Sequence, residues 1–315
     1  MVQAAKEISL ALPGALRVAG KSWGSPTASN LRVLAVHGWM DNANSFDRLG
    51  PALASASGAH VVAIDLLGHG NSDHAASPSG TYHASEHIAA TAAALDALGW
   101  LDGESPADGP VLLGHSMGGG ICTLLAAAYA DRVRALALCE GLGPLARPAD
   151  RAPANLRKAL DALRPAADAP SRGRGFSSVD AAARARVMGA RKWPSKPGRP
   201  QRLSAGAALR IAERGTVADD GEVRFVHDRA LALPQLMYID EEMSLSCFRA
   251  IACPVLAVQA ADGWPRPEPG FTTRCEALGD RLTLVETSGS HYAHLDDDSA
   301  PEVEAALASF LAPLA

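Results

Sequence analysis

The sequence predicts an α/β protein built on a mostly parallel, doubly wound β-sheet, with a helical insertion late in the sheet. Short apolar segments alternate with helix-forming segments in two blocks, residues 1–142 and 236–315. The stretch between them, residues 143–235, is rich in Ala, Arg and Pro and has no strand-like apolar run before 223–226. Strands that alternate with helices on both sides of one insert indicate a single parallel sheet. We therefore predict a core from the outer blocks and a helical cap from the middle one.

The individual elements follow from apolar periodicity and from turn residues. An opening β-hairpin is expected over residues 5–24, where Pro13 and Gly14 supply the turn. Helices are expected from residue 45 to about 54, over 81–99 and over 300–314. The other strands are apolar runs at 31–36, 60–66, 110–113, 133–140, 254–259 and 281–286.

Composition bounds the class of protein. A chain of 315 residues with 48% hydrophobic and 20% charged residues is typical of a globular protein with ample core-forming material. The net charge of −5 gives no reason to expect nucleic acid as a partner. However, residues 146–215 hold 16 Lys and Arg against 5 Asp and Glu, a balance of +11, which leaves −16 for the remainder. This basic insert permits peripheral contact with a membrane or lipid, although exposed charge runs are usually only solvated faces.

Cysteine content and apolar runs indicate a reducing, intracellular setting. The five cysteines are irregularly spaced, which predicts free thiols rather than a disulfide framework or a metal site. No apolar run approaches the roughly 18 residues that a spanning helix needs, and residues 1–7 lack the apolar stretch of a signal peptide. We therefore expect a cytoplasmic protein without metal or cofactor. The sequence predicts no oligomeric state.

Residues 114–118 read G-H-S-M-G and fit the pattern G-x-S-x-G. A short apolar strand leads into this segment, and a glycine pair followed by a helix-forming run leads out of it. Strand, tight turn and helix are the context of a nucleophile elbow, in which a strained turn lifts a serine hydroxyl clear of the backbone. The helix N-terminus there favours a developing oxyanion. Ser116 is therefore the candidate nucleophile; the competing interpretation is a Gly-rich turn with an incidental serine.

Further motifs make the chain resemble the α/β-hydrolase fold over its whole length. They are an H-G turn at His37 and Gly38, the stretch D-L-L-G-H-G-N-S at 65–72, the elbow, and a late histidine, His291. The stretch 37–49 is more specific, because it resembles the serine hydrolase-like (Kraken-type) subfamily, whose members often read H-G-W-x-D-N-x-x-S-F-D-x-L. Segments 214–216 and 227–229 are similar to the cap of that subfamily. The resemblance implies a serine carboxylester hydrolase and names neither the acyl group nor the alcohol.

In this fold the catalytic residues follow the chain order Ser, acid, His. His291 stands after the last predicted strand, in the loop where the fold carries its histidine, so the resemblance implies that it is the base. His294 is the runner-up and is expected to pack or form a hydrogen bond beneath that loop. His115 flanks Ser116 and is expected to be structural.

Two carboxylates compete for the role of the acid. Asp262 is preferred, because it follows the predicted strand 254–259 in the loop that usually carries the acid in this fold. Glu140 is the alternative, since it ends the strand after the elbow helix, where haloalkane dehalogenases of similar fold carry theirs. Gln259 stands where the usual pattern has a glycine three residues before the aspartate, which keeps Glu140 open. One carboxylate suffices to fix the histidine tautomer and stabilise the imidazolium.

The resemblance also implies an oxyanion hole formed by the backbone N–H groups of Trp39 and Met117. Gly38 lies in the turn that presents Trp39, and Trp39 and Met40 would help to line the acyl pocket. Plain packing is the alternative for Met40. Residues 65–72 are expected to brace the turn beside the site.

The predicted function is hydrolysis of a small-molecule carboxylic ester, with an acyl or phospholipid ester as examples, through an acyl-enzyme. Hydrolysis of a thioester, an amide or a C–C bond on the same triad is an alternative, because the pocket under the cap decides the substrate. A catalytically silent hydrolase fold that serves as a receptor or interaction module is another. Dehalogenases and epoxide hydrolases are disfavoured, because they carry an aspartate where Ser116 stands.

Overall fold

The described residues form ten strands and nine α-helices, together with short 3₁₀ turns. The computed structural model describes residues 4–26, 31–74, 80–166, 173–266 and 268–315. The strands are β1 Lys6–Leu12, β2 Leu16–Trp23, β3 Arg32–Val36, β4 His60–Ile64, β5 Val111–His115, β6 Ala135–Cys139, β7 Thr216–Asp219, β8 Glu222–Phe225, β9 Val255–Ala260 and β10 Leu282–Thr287. The helices are α1 Leu49–Ser57, α2 Ala84–Ala97, α3 Met117–Ala128, α4 Ala152–Ala166, α5 Val179–Ala190, α6 Ala205–Gly215, α7 Glu241–Ala250, α8 Gly270–Leu278 and α9 Ala300–Leu311. Two stretches covered by the sequence predictions lie outside the described residues. They are residues 1–3 of the N-terminal segment and residues 167–172 of the insert.

The central sheet has eight strands in the order β1-β2-β4-β3-β5-β6-β9-β10. The six strands from β4 to β10 in this order pair in parallel. The opening hairpin β1–β2 joins the edge of the sheet antiparallel to β4. The prediction of a mostly parallel sheet is therefore confirmed.

Helices cover both faces of the sheet, because the parallel strands are apolar on both sides. In β3, Val33 and Ala35 pack towards α1 and α9 on one face, whereas Leu34 and Val36 pack towards α2, α3, α7 and α8 on the other. All four side chains are buried. A fully buried Leu or Val contributes roughly 2 kcal/mol through the hydrophobic effect. These two apolar layers fix the carboxyl ends of the strands, and the predicted site residues lie just after β3, β5, β6, β9 and β10.

The segment between β6 and α7 holds α4, α5, α6 and a two-stranded antiparallel hairpin, β7–β8. The predicted helical insert therefore also contains a hairpin, and β8 overlaps the strand-like apolar run noted at 223–226. The hairpin turns at Asp220 and Gly221, which have φ of +50° and +77°. An Asp-Gly pair adopts this left-handed turn readily and joins two strands through two residues.

Helices α5 and α6 of this segment pack onto the loop that follows β10. Ala207, Ala208 and Ile211 of α6 form a buried cluster with Tyr292 and Leu295. Since Tyr292 directly follows His291, the insert and the predicted base share one packing unit.

Candidate active site

Ser116 occupies a strained backbone position between β5 and α3. Its φ of 52° and ψ of −116° lie in a region that residues other than glycine rarely adopt. Gly118 permits the turn, because a Cβ at this position would lie 2.0 Å from the carbonyl oxygen of Val36. The serine therefore protrudes at the start of α3, as the G-x-S-x-G pattern predicts for a nucleophile elbow.

The structure brings Ser116, His291 and Glu140 into one chain of hydrogen bonds. Nε2 of His291 lies 2.9 Å from Oγ of Ser116, and Nδ1 of His291 lies 3.1 Å from Oε2 of Glu140. A carboxylate only accepts hydrogen bonds, so Nδ1 carries the proton and Nε2 presents its lone pair to the serine hydroxyl. This is the tautomer that a general base for Ser116 requires.

The carboxylate of Glu140 is fixed by the loop that follows β9. The backbone N–H of Ala260 donates to its Oε1 at 2.6 Å, and that of Trp264 donates to its Oε2 at 2.8 Å. Gly263 makes room for it, because a Cβ there would lie 2.2 Å from the carboxylate oxygens. Glu140 itself has a φ of 55° and is buried. Backbone strain and two backbone donors thus position this side chain beside His291.

Asp262, the acid preferred from the sequence, lies in the expected loop, and its carboxylate pairs with arginines rather than with His291. Its two oxygens lie 2.6 Å from Arg199 and 3.3 Å from Arg202, both on the insert. Glu140, the alternative acid, lies within hydrogen-bond distance of His291. The structure therefore brings Glu140, and not Asp262, together with the predicted base.

The other two histidines near the serine have separate partners. Nε2 of His294 lies 2.9 Å from Oγ of Ser45, and burial lowers the pKa of His294 to about 3. Nε2 of His115 lies 3.0 Å from the carbonyl oxygen of His291 and donates to it. Burial holds the pKa of His115 well below its usual value. Both side chains are buried. The hydrogen bond of His294 to Ser45 agrees with the packing role expected for it, and His115 was expected only to be structural.

The turn after β3 lies directly against the serine. A Cβ on Gly38 would approach Cβ of Ser116 to 3.2 Å. Trp39 follows and is 46% exposed, and its indole Nε1 donates to the carbonyl oxygen of Leu231 at 3.0 Å. Met40 has a φ of 61° and packs on the core. Met117 is the first residue of α3, next to the serine.

Asp65 braces this turn, as expected for the stretch 65–72. The buried carboxylate accepts the backbone N–H groups of Ala43 at 2.7 Å and Asn71 at 2.9 Å. Arg214, in the segment that resembles the subfamily cap, pairs with the same carboxylate at 2.9 Å and with Glu7 at 2.8 Å. The end of α6 is thereby tied to the core beside the site.

Sequence reasoning missed several residues that surround His291. Gln201 accepts the N–H of His291 at 3.0 Å and donates to the carbonyl oxygen of Gly263 at 3.0 Å. The rings of Trp193 and Trp264 lie 5.9 Å and 5.0 Å from the imidazole. Gln201 and Trp193 belong to the insert, and no local sequence pattern marks them, because their contacts exist only when the insert folds back.

Arg186 of α5 joins the insert to both loops of the site. It donates to the carbonyl oxygen of Met40 at 2.6 Å and to Oδ1 of Asp41 at 2.5 Å. The hydroxyl of Tyr292 donates to the same oxygen of Asp41 at 2.9 Å. Burial raises the pKa of Asp41, and the Arg186 guanidinium opposes that shift. The Asp41 in the H-G-W-x-D-N motif is thus a buried anchor rather than a surface residue.

The described part of the chain offers no cluster of three or more His, Cys, Asp or Glu arranged to hold a metal ion. None of its helices is long and apolar enough to cross a bilayer. Its cysteines are free, and Cys122, Cys139 and Cys253 are buried.

Comparison with known proteins agrees with the architecture. The sequence profile of the alpha/beta hydrolase fold matches residues 32–298. The chain is 29% identical over 324 residues to a serine hydrolase-like protein of Danio rerio, covering 99% of this chain and 90% of that protein. It is 32% identical to a hypothetical protein of Pseudomonas aeruginosa PAO1, whose crystal structure matches with a TM-score of 0.83 over 98% of this chain and 99% of that one.

A shorter match concerns a named esterase. Over 114 residues the chain is 34% identical to a pimeloyl-[acyl-carrier protein] methyl ester esterase of Neisseria meningitidis. The matched segment covers 36% of this chain and 38% of that protein. The profile match, the parallel sheet and the serine at the strained turn after β5 agree with one another. The chain therefore belongs to the alpha/beta hydrolase fold family and is a serine hydrolase-like member of it.

Proposed function

We propose that the protein hydrolyses carboxylic esters through an acyl-enzyme, with Ser116 as nucleophile, His291 as base and Glu140 as acid. The observation that carries this proposal is the unbroken chain of hydrogen bonds from Oγ of Ser116 through the imidazole to the Glu140 carboxylate. An esterase among the similar proteins is consistent with this reaction class.

In the acylation step, Oγ of Ser116 attacks the ester carbonyl carbon while Nε2 of His291 takes the hydroxyl proton. The backbone N–H groups of Trp39 and Met117 stabilise the oxyanion of the tetrahedral intermediate. The C–O bond to the alcohol then breaks, and the imidazolium returns its proton to the leaving alkoxide. Glu140 stabilises the imidazolium throughout and keeps the proton on Nδ1.

In the deacylation step, water attacks the acyl carbon while His291 takes one of its protons. The bond to Oγ of Ser116 breaks, the serine regains a proton, and the carboxylic acid leaves. Because the alcohol leaves before water reacts with the covalent acyl-enzyme, ping-pong kinetics are expected.

We further propose that residues 143–235 act as a cap over this site. Trp39 contacts the insert through Leu231, Asn42 donates to the carbonyl oxygen of Ile211 at 2.9 Å, and Arg186 contacts Asp41. Trp193 reaches the imidazole from the same segment. Aromatic walls from core and insert suit an apolar acyl group next to the serine.

The proposal is tested with a series of p-nitrophenyl acyl esters of increasing chain length, with Ser116→Ala as the control. We expect turnover by the wild-type protein and loss of at least about a thousandfold in the variant, because the nucleophile is removed. Unchanged turnover in Ser116→Ala would exclude Ser116 from the reaction.

Labelling with a fluorophosphonate probe separates the enzyme from a catalytically silent module. The wild-type protein should be labelled at Ser116 and the Ser116→Ala variant should not. A folded wild-type protein that resists the probe would favour the silent module. Parallel assays with acyl thioester and anilide analogues of the same acyl chain compare the alternative scissile bonds on the same triad.

A further inference from the structure

A second concave site lies on the insert, apart from the residues of the candidate active site. A cavity of about 300 Å³ is lined by Arg147, Arg151, Lys158, Asn155 and Tyr238, with two prolines completing the wall. None of these side chains contacts Ser116, His291 or Glu140 in the structure. Its volume is within the range of small-molecule sites.

Two separate parts of the chain form its walls. Arg151 ends the turn that leads into α4, and Asn155 and Lys158 follow at spacings of four and three, so the three side chains share one face of the helix. The opposite wall is fixed by a hydrogen bond of 3.0 Å from the N–H of Arg147 to the carbonyl oxygen of Ile239. The Arg147 guanidinium lies 5.7 Å from the ring centroid of Tyr238.

The three cations of this cavity have no carboxylate partner within the described residues, and no acidic side chain of that part of the chain lines the wall. Two arginines on the same helix are arranged differently. Arg157 and Arg164 both pair with Asp161, at 2.6 Å and 3.7 Å. Like charges that line one cavity repel each other, and an anion bound among them would offset that repulsion. Three of the positive charges of the basic segment 146–215 therefore line one cavity.

We propose that this cavity binds a phosphate group. Arginine presents a planar fork that matches two phosphate oxygens, and lysine adds a compact positive charge. The Asn155 amide and the Tyr238 hydroxyl are neutral donors for the remaining oxygens. A dianionic phosphate gains more from three cations than a singly charged carboxylate does. This inference is independent of the ester hydrolysis proposed above.

The test is a titration of the full-length protein with inorganic phosphate, followed by calorimetry, with sodium acetate at equal ionic strength as the monoanion control. We expect saturable binding of phosphate that weakens by about tenfold or more for each cation removed. The variant Arg151→Gln/Lys158→Gln removes two charges from the cavity. The matched control Arg157→Gln/Arg164→Gln removes two charges from the same helix outside it.

Loss of phosphate binding in the cavity variant together with retention in the control supports the site. The absence of saturable phosphate binding by the wild-type protein overturns it, as does equal weakening in both double variants, since only general charge attraction would then act. Far-UV circular dichroism and thermal unfolding check that both variants are folded, and they depend neither on the cavity nor on the reactivity of Ser116.

Two further arms identify the source of the phosphate. Binding of glycerol 3-phosphate with the same dependence on the cavity pair assigns the site to soluble phosphate esters. Sedimentation with phosphatidylcholine vesicles that contain phosphatidic acid, lost in the cavity variant and absent with phosphatidylcholine alone, assigns it to a lipid head group. Failure of both ligands in a protein that binds inorganic phosphate would restrict the site to the free anion.

Discussion

The replacement Glu140→Gln tests the arrangement of the site more sharply than any other single change. Glutamine has nearly the same shape and can still accept one hydrogen bond at its oxygen. Glu140 receives three donors in the structure, from Ala260, Trp264 and His291. The amide NH₂ of glutamine must therefore face at least one N–H group, and the negative charge beside the imidazole disappears.

The expected loss of kcat is between about a hundredfold and ten-thousandfold, the larger value being that of the Asp→Asn change in a serine protease triad. At about 1.4 kcal/mol for each factor of ten, this corresponds to roughly 3–5.5 kcal/mol of transition-state stabilisation. KM should change little, because Glu140 is buried behind His291 and does not line the substrate side. Far-UV circular dichroism and thermal unfolding show whether the variant is folded.

The matched control is Asp262→Asn, at the carboxylate that the sequence favoured. Its partners Arg199 and Arg202 are 59% and 69% exposed, so their pairs with Asp262 contribute at most about 1 kcal/mol to stability. We expect kcat to stay within about twofold of the wild-type value. A large loss in Asp262→Asn together with near-normal turnover in Glu140→Gln would refute the assignment of the acid.

Three further predictions concern stability and thiol reactivity. Arg186→Gln should lower the free energy of unfolding in urea by about 3 kcal/mol, because it leaves the buried Asp41 carboxylate without its cation. Burial lowers the pKa of His87 to about 4, so this histidine favours the unfolded state increasingly as the pH falls from 6.5 to about 4. Between pH 6.5 and pH 4, the free energy of unfolding should therefore fall less in His87→Phe than in the wild-type protein. The difference between the two decreases should be at most about 3 kcal/mol. With Ellman's reagent, the native protein should show at most the two thiols of the partly exposed Cys247 and Cys275, and all five only after denaturation.

Each of these predictions has its own contrary result. Arg184→Gln, at an exposed position on the same helix as Arg186, should leave the urea midpoint almost unchanged, and an equal loss in both variants would show that the buried pair is not the cause. If His87→Phe follows the wild-type dependence of stability on pH, His87 does not titrate in this window. Rapid reaction of more than two thiols in the native protein would contradict the burial of the other three.

Apolar patterning by itself predicted the parallel sheet, the G-x-S-x-G motif predicted the elbow, and the family resemblance implied the position of the base. Runs such as 31–36 and 133–140 are mostly apolar, which indicates strands covered on both faces. The glycines around Ser116 and the late His291 are local signals, because the strained turn and the chain order of the fold are both visible in linear sequence. The insert was also visible as a change in composition, although its β-hairpin was not expected.

The identity of the carboxylate beside His291 was decided only by the tertiary structure. Glu140 and Asp262 follow the carboxyl ends of the neighbouring parallel strands β6 and β9, so sequence position alone allows either to lie near the histidine. Which one faces it depends on where each side chain finds partners. Asp262 forms ion pairs with Arg199 and Arg202. Glu140 lies beside His291, where two backbone N–H groups bind its carboxylate and Gly263 leaves space for it. These partners lie up to 124 residues apart in the chain and meet only when the insert and the sheet are packed, so no local pattern could encode the choice.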